Sequence, residues 1–182
     1  RITYTLGIIG GYSIPIEKAP YMASIRADGF HTCGGSILTE RFILSAAHCI
    51  NTTKTYQVVV GTDKLYEGGQ LYNVEEIFVH EKFSTETYDY DICILKLREA
   101  LKISNKVKKI VLSRGAKLIN KILLNIYYFQ GDSGGPLTYT NNNKRLEQVG
   151  ITCCGALCGK EPTIYTKISE LLPWIKHIIA KH

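Results

Sequence analysis

Gly131-Asp132-Ser133-Gly134-Gly135-Pro136 is the stretch on which the reading of this chain turns. Its glycines let the backbone bend sharply, and such a bend can aim the N–H groups of Gly131 and Ser133 into one small space. Two converging donors stabilise the oxyanion formed when a hydroxyl attacks a carbonyl. A serine hydroxyl is a weak nucleophile, so it needs a base to take its proton and a third group to orient that base. The chain supplies both upstream: His48 within Leu44-Ser45-Ala46-Ala47-His48-Cys49, and Asp91 at the head of Asp91-Ile92-Cys93-Ile94-Leu95. Read alone, the glycine-rich stretch is a tight surface turn. With the His and Asp contexts in this order, the candidate set is Ser133 as nucleophile, His48 as base and Asp91 as orienting anion. Asp89 competes for the last role, but the Asp-Ile start of an apolar strand favours Asp91.

These three motifs, with Ile8-Ile9-Gly10-Gly11, resemble the trypsin/chymotrypsin family of serine proteases. The likeness is close from Ile8 to about Ser113 and again from Gly131 onward. It implies an all-β fold of two packed six-stranded β-barrels with the triad at their seam, and a C-terminal α-helix. It implies a secreted, extracellular serine endopeptidase, monomeric, acting on protein or peptide substrates and open to protein protease inhibitors. No organic cofactor or metal is called for, since the chemistry is proton transfer and acylation. Carried over residue by residue, Cys33 and Cys49 correspond to the disulfide that fixes the histidine loop. Ile8 corresponds to the N-terminus whose freed amine pairs with the acid before the nucleophile, here Asp132. Gly7 stands where the family carries the basic cleavage residue, and cutting after Arg1 would leave a six-residue extension before Ile8.

The expected organisation is an extension over 1–7 and one protease domain over 8–182. Within it lie a first barrel over about 8–113, an atypical segment over 114–130, a remnant of the second barrel over 131–168 and a helix over 169–182. Alternating apolar residues predict strands at 21–26 and 56–60, with a hairpin at Asp28-Gly29, and 71–79 and 148–152 also read as strands. The first barrel is expected to close near Val111-Leu112-Ser113. Ser169 is expected to cap a helix carrying Leu171, Leu172, Trp174, Ile175, Ile178 and Ile179 on its apolar positions.

Residues 114–130 do not resemble the family. Leu118, Ile122 and Ile126 recur at helical spacing, while Ile126-Tyr127-Tyr128-Phe129 reads equally as a strand. Only 41 residues lie between Asp91 and Ser133, about half the family's interval, so the second barrel is expected to be incomplete. The Lys-, Ile- and Asn-rich text ends in Phe129-Gln130, which TTTCAG could encode. A mis-spliced segment is therefore one reading, and a non-catalytic binding homologue another. At the primary pocket, Tyr127 takes the position six before the nucleophile, with Gly155 at the entrance and Thr163 where trypsins carry Gly. Cys153-Cys154-Gly155 replaces the family's Ser-Trp-Gly, and a local Cys153–Cys158 or Cys154–Cys158 bridge is open.

Composition supports a globular chain: 182 residues, 45% apolar, net charge +6. No apolar run reaches the ~18 residues a membrane span needs. Seven Lys/Arg and no acid lie between Glu99 and Asp132. Aromatics do not interleave the lysines of 102–117, so the block reads as a solvated face, not a nucleic-acid site. The histidines His31, His80, His177 and His182 lack companion residues and read as ordinary surface or partly buried positions. Cys93, on an apolar strand, reads as a small buried hydrophobe.

Overall fold

The computed structural model of the chain describes residues 13–115, 132–141, 143–153 and 164–182. The readings on Ile8, Tyr127, Gly131, Cys154, Gly155, Cys158 and Thr163, and on all but the start of segment 114–130, fall outside them. Ten strands are described: β1 (Met22–Ala27), β2 (Phe30–Ile37), β3 (Phe42–Ser45), β4 (Tyr56–Val60), β5 (Gln70–Val79), β6 (Cys93–Leu97), β7 (Val111–Leu112), β8 (Pro136–Thr140), β9 (Leu146–Thr152) and β10 (Tyr165–Lys167). They are followed by α1 (Ile168–Lys181), and 3-10 turns occur at Ile16–Lys18 and Ala47–Cys49.

Strands β1–β6 close into an antiparallel barrel in the order β1-β2-β3-β6-β5-β4. The β1–β2 hairpin turns through Asp28 (φ 51°) and Gly29 (φ 87°). That left-handed pair matches the twist of the flanking strands. Along β1 the side chains alternate, with Ala23, Ile25 and Ala27 inward. Ile25, Ile37, Ile43, Leu44, Ile94 and Leu95 are wholly buried and fill the barrel. Closure needs no further strand, because β1 pairs with β4. Val111–Leu112 accordingly does not close the barrel as expected; it pairs in parallel with Glu147 and Gln148 of β9.

The second sheet has four strands among the described residues, all built on β9. Its β8 partner runs along one edge, while β10 and β7 share the other edge at opposite ends. The expected incomplete second barrel therefore takes the form of this partial sheet. A single apolar core joins the two halves, running from the barrel through Ile151 to Ile168, Leu171 and Ile175 of α1. The helix starts one residue earlier than expected. Lys167 is its N-cap and makes no side-chain cap bond, so Ser169 lies in the first turn instead of capping it.

His80 also departs from the sequence reading. It is buried, 6% exposed, with its ring stacked on Tyr90 at 4.7 Å between centroids and tilted against Trp174 at 4.9 Å. Its Nδ1 accepts the Lys82 amide at 3.1 Å. Desolvation lowers its pKa below the ordinary histidine value, Glu81 pulls it back and Lys82 adds to the fall. The folded state therefore resists protonation that the unfolded chain accepts at about pH 6.5. The unfolded state binds more protons below that pH, so stability falls as pH drops through the window. Thermal unfolding between about pH 7.5 and 5 is expected to show this loss. His80→Phe, which keeps the stacking and removes the titration, should flatten it; an unchanged slope would refute the assignment.

Candidate active site

The histidine sits on the 3-10 turn that follows β3. The small residues Ala46 and Ala47, both buried, let this turn pack tightly beneath the ring. A disulfide between Cys33 of β2 and Cys49, with Cα atoms 6.1 Å apart, ties the turn to the barrel. Asp91 precedes β6 and is wholly buried. Its backbone is bent so that the Ile92 amide donates to the Tyr90 carbonyl at 2.8 Å, flanked by left-handed Tyr88 and Tyr90.

The Asp91 carboxylate is held from several directions. His48 Nδ1 lies 2.7 Å from Oδ2, and the His48 amide donates to Oδ1 at 2.9 Å. The Cys153 side chain supplies a further hydrogen bond. Burial alone would raise this carboxyl's pKa. The bonds from His48 Nδ1, the Cys153 side chain and the His48 amide, together with the charge of His48, outweigh it and hold the value below the ordinary one. An ionised Asp91 fixes the proton on His48 Nδ1, which leaves Nε2 as an acceptor. Tyr88 meets the imidazole edge-on at 5.9 Å. Asp89, the competing acid, is exposed and accepts from the Thr87 hydroxyl at 2.8 Å.

Ser133 is buried on the turn before β8, and its hydroxyl donates to the Cys153 carbonyl at 3.2 Å. Cys153 thus contacts both the serine, through its backbone, and Asp91, through its side chain. Sequence reasoning treated Cys153 only as a substitution and a bridge candidate. It is a buried thiol whose side chain bonds Asp91, and Cys158, the bridge candidate, lies outside the described residues. The available signal was its place directly after the apolar run of β9, at the end of a strand that enters the core. Cys93 is also a buried thiol; its Sγ donates to the Ala46 carbonyl at 3.1 Å. Burial and then the Asp91 charge push its pKa well up, which makes it unreactive.

The serine turn is stitched to both sheets. Gly34 N donates to Ser133 O at 2.7 Å, Gly134 N to Thr152 O at 2.7 Å, and Thr152 N to Gly135 O at 2.9 Å. Gly134 has φ 77°, and a Cβ there would collide with Ser45 Oγ and lie 2.6 Å from the Gly34 carbonyl. Asp132 borders a cavity of about 490 Å³ shared with Ile16, Met22, Leu137 and Tyr165.

Comparison with known proteins follows the same lines. A family model described as Trypsin matches residues 8–122 and 119–175, so the two matches meet inside the atypical segment. "Trypsin 5G1" of Aedes aegypti is 26% identical over 229 residues, covering 94% of this chain and 84% of that protein. "Trypsin" of Simulium vittatum is 36% identical over 132 residues, which cover 69% of this chain and span 53% of that relative's length.

The close approach at Gly134 gives a stability prediction. Gly134→Ala combines left-handed strain with a steric clash and is expected to cost about 3 kcal/mol or more. Denaturant unfolding would measure it, and a loss under about 1 kcal/mol would contradict the packing described.

Proposed function

The chain belongs to the trypsin family, and from that premise we propose that it is a secreted serine-type endopeptidase, hydrolysing peptide bonds through an acyl-enzyme on Ser133. The observation that carries the reading is the buried Asp91 carboxylate 2.7 Å from His48 Nδ1, with Ser133 hydrogen-bonded to the same residue, Cys153, that supports Asp91. In this proposal the Ser133 hydroxyl turns from the Cys153 carbonyl to His48 Nε2, gives up its proton there and attacks the scissile carbonyl. The Gly131 and Ser133 amides receive the oxyanion. His48 then passes the proton to the leaving amine, and water repeats the sequence to release the acid. Asp91 stays ionised throughout and balances the imidazolium.

Secretion is supported by the Cys33–Cys49 disulfide, a bond that persists in oxidising compartments. Among the described residues no helix is long and apolar enough to cross a membrane. The expected partners are protein or peptide substrates and protein protease inhibitors, met by a monomer. The cavity beside Asp132 suits the Ile8 amine of an activated chain.

Reaction with a fluorophosphonate probe tests the chemistry, because labelling needs both an activated hydroxyl and a formed oxyanion hole. The chain is expected to label at Ser133. Ser133→Ala should abolish labelling, and Asp91→Asn should slow peptide hydrolysis about ten-thousandfold by favouring the wrong tautomer. A folded chain that does not label would instead be a binding homologue.

For specificity, no acid lies between Glu99 and Asp132, and Tyr127 takes the position where an acid would select Arg or Lys. A buried cationic side chain without a counter-charge costs several kcal/mol, on the order of a thousandfold in binding. With Thr163 narrowing the pocket and Gly155 open at its mouth, small or medium apolar P1 residues are expected to be preferred. A P1-varied peptide panel checks this; faster cleavage after Arg or Lys than after Ala, Val or Leu would overturn it.

A further inference from the structure

We propose that His48, Asp91 and Cys153 form a binding site for zinc, which would bind reversibly within the triad. One ligating atom from each residue lies within 4.8 Å of the others. A borderline-soft ion favours this mixture of imidazole nitrogen, carboxylate oxygen and thiolate sulfur. Zinc bonds of about 2.0 Å to nitrogen and about 2.3 Å to sulfur put tetrahedral ligands roughly 3.3–3.8 Å apart. Loading requires the His48–Asp91 contact to open from 2.7 Å and the three ligand atoms, now within 4.8 Å of one another, to settle at that spacing.

Charge also favours zinc at this site. Asp91 is wholly buried and Cys153 is 1% exposed. A carboxylate and a thiolate balance a dication, so the loaded site is neutral, as a buried site requires. The His48 side chain is 21% exposed, so the group is not wholly sealed from solvent, and in the proposed site a water completes the coordination. The other sulfur-rich group around this ring, Cys33, His48 and Cys49, cannot serve: its two sulfurs are bonded to each other and offer no thiolate.

The proton balance is definite. Entry of zinc displaces the proton on the Cys153 thiol, which leaves to solvent, and the proton on His48 Nδ1, which moves to Nε2. The imidazole then carries hydrogen where it needs a lone pair, so Ser133 loses its base. That consequence rests on the catalytic reading above; the binding itself does not, and the test reads binding alone.

The full chain is titrated with Zn²⁺ by calorimetry and with Co²⁺ by absorbance. One ion per chain is expected, with a thiolate-to-cobalt charge-transfer band. Cys153→Ser should abolish the band, and His48→Gln and Asp91→Asn should each weaken binding at least ~10-fold. Cys154→Ser and Cys158→Ser should leave both intact. X-ray absorption of the zinc-loaded wild type, which needs no variant to fold, should find one sulfur and otherwise nitrogen or oxygen ligands. No binding, two or more sulfurs, or a band that survives Cys153→Ser would overturn the site.

Discussion

A carboxylate buried at Asp91 is the constraint around which the rest of this molecule is arranged. Left without donors, such a charge costs several kcal/mol, a large share of a domain's net stability. The donors come from separate parts of the chain. His48 offers a ring nitrogen and an amide from the turn after β3, and Cys153 offers its side chain from the end of β9. Thr166 of β10 donates to the Asp91 carbonyl at 3.1 Å. Asp91 can therefore be both buried and fully hydrogen-bonded only while the barrel and the second sheet are docked. The group that orients the histidine is also the one that penalises their separation.

Docking is reinforced by backbone contacts that only small residues permit. A Cβ on Gly34 would lie 3.0 Å from the Gly135 Cα, so these two glycines let β2 and the serine turn approach closely. Nearby, Ser36 donates to Gln148 Oε1 at 2.7 Å, and Gln148 Nε2 donates to the Gly150 carbonyl at 3.0 Å. Both side chains are wholly buried, and each side-chain bond crosses or braces the seam. The polar interior here is satisfied, which is what makes it tolerable in a low-dielectric setting.

The sequence made the barrel legible, together with the contexts of His48 and Asp91 that the fold brings into contact, because those features are local. Alternation along β1 and the Asp28-Gly29 turn each depend on a few neighbouring residues. What escaped depends on residues far apart. Nothing near His80 announces the burial that Trp174, 94 positions later, helps create. The pairing of Val111–Leu112 with β9 is a register choice between distant strands, and two apolar residues carry no period to betray it. Ser169 looks like a cap by composition, but the β10 strand continues to Lys167 and the helix begins immediately, one residue ahead of it. Cys153 looked like a loss when set against a family pattern. Its role comes from which carboxylate it reaches, and that is fixed by the fold.

The shortened interval before Ser133 raises the question of what holds the serine turn. Among the described residues its supports come from other parts of the chain. Gly34 belongs to the barrel, Thr152 to β9, and β9 is itself flanked by β8, β10 and β7. Three of these four strands lie after Ser133, and β7 precedes the atypical segment. The apolar face of α1 then seals the arrangement from below, with Ile168, Leu171 and Ile175 in the same core as Ile151. The described contacts around Asp91, Cys153 and Ser133 thus come from the barrel, the turn after β3 and the second sheet. Within the described residues, the His48–Asp91 pair and the serine turn are therefore anchored on both sides of the atypical segment, by the barrel before it and by β8, β9 and β10 after it.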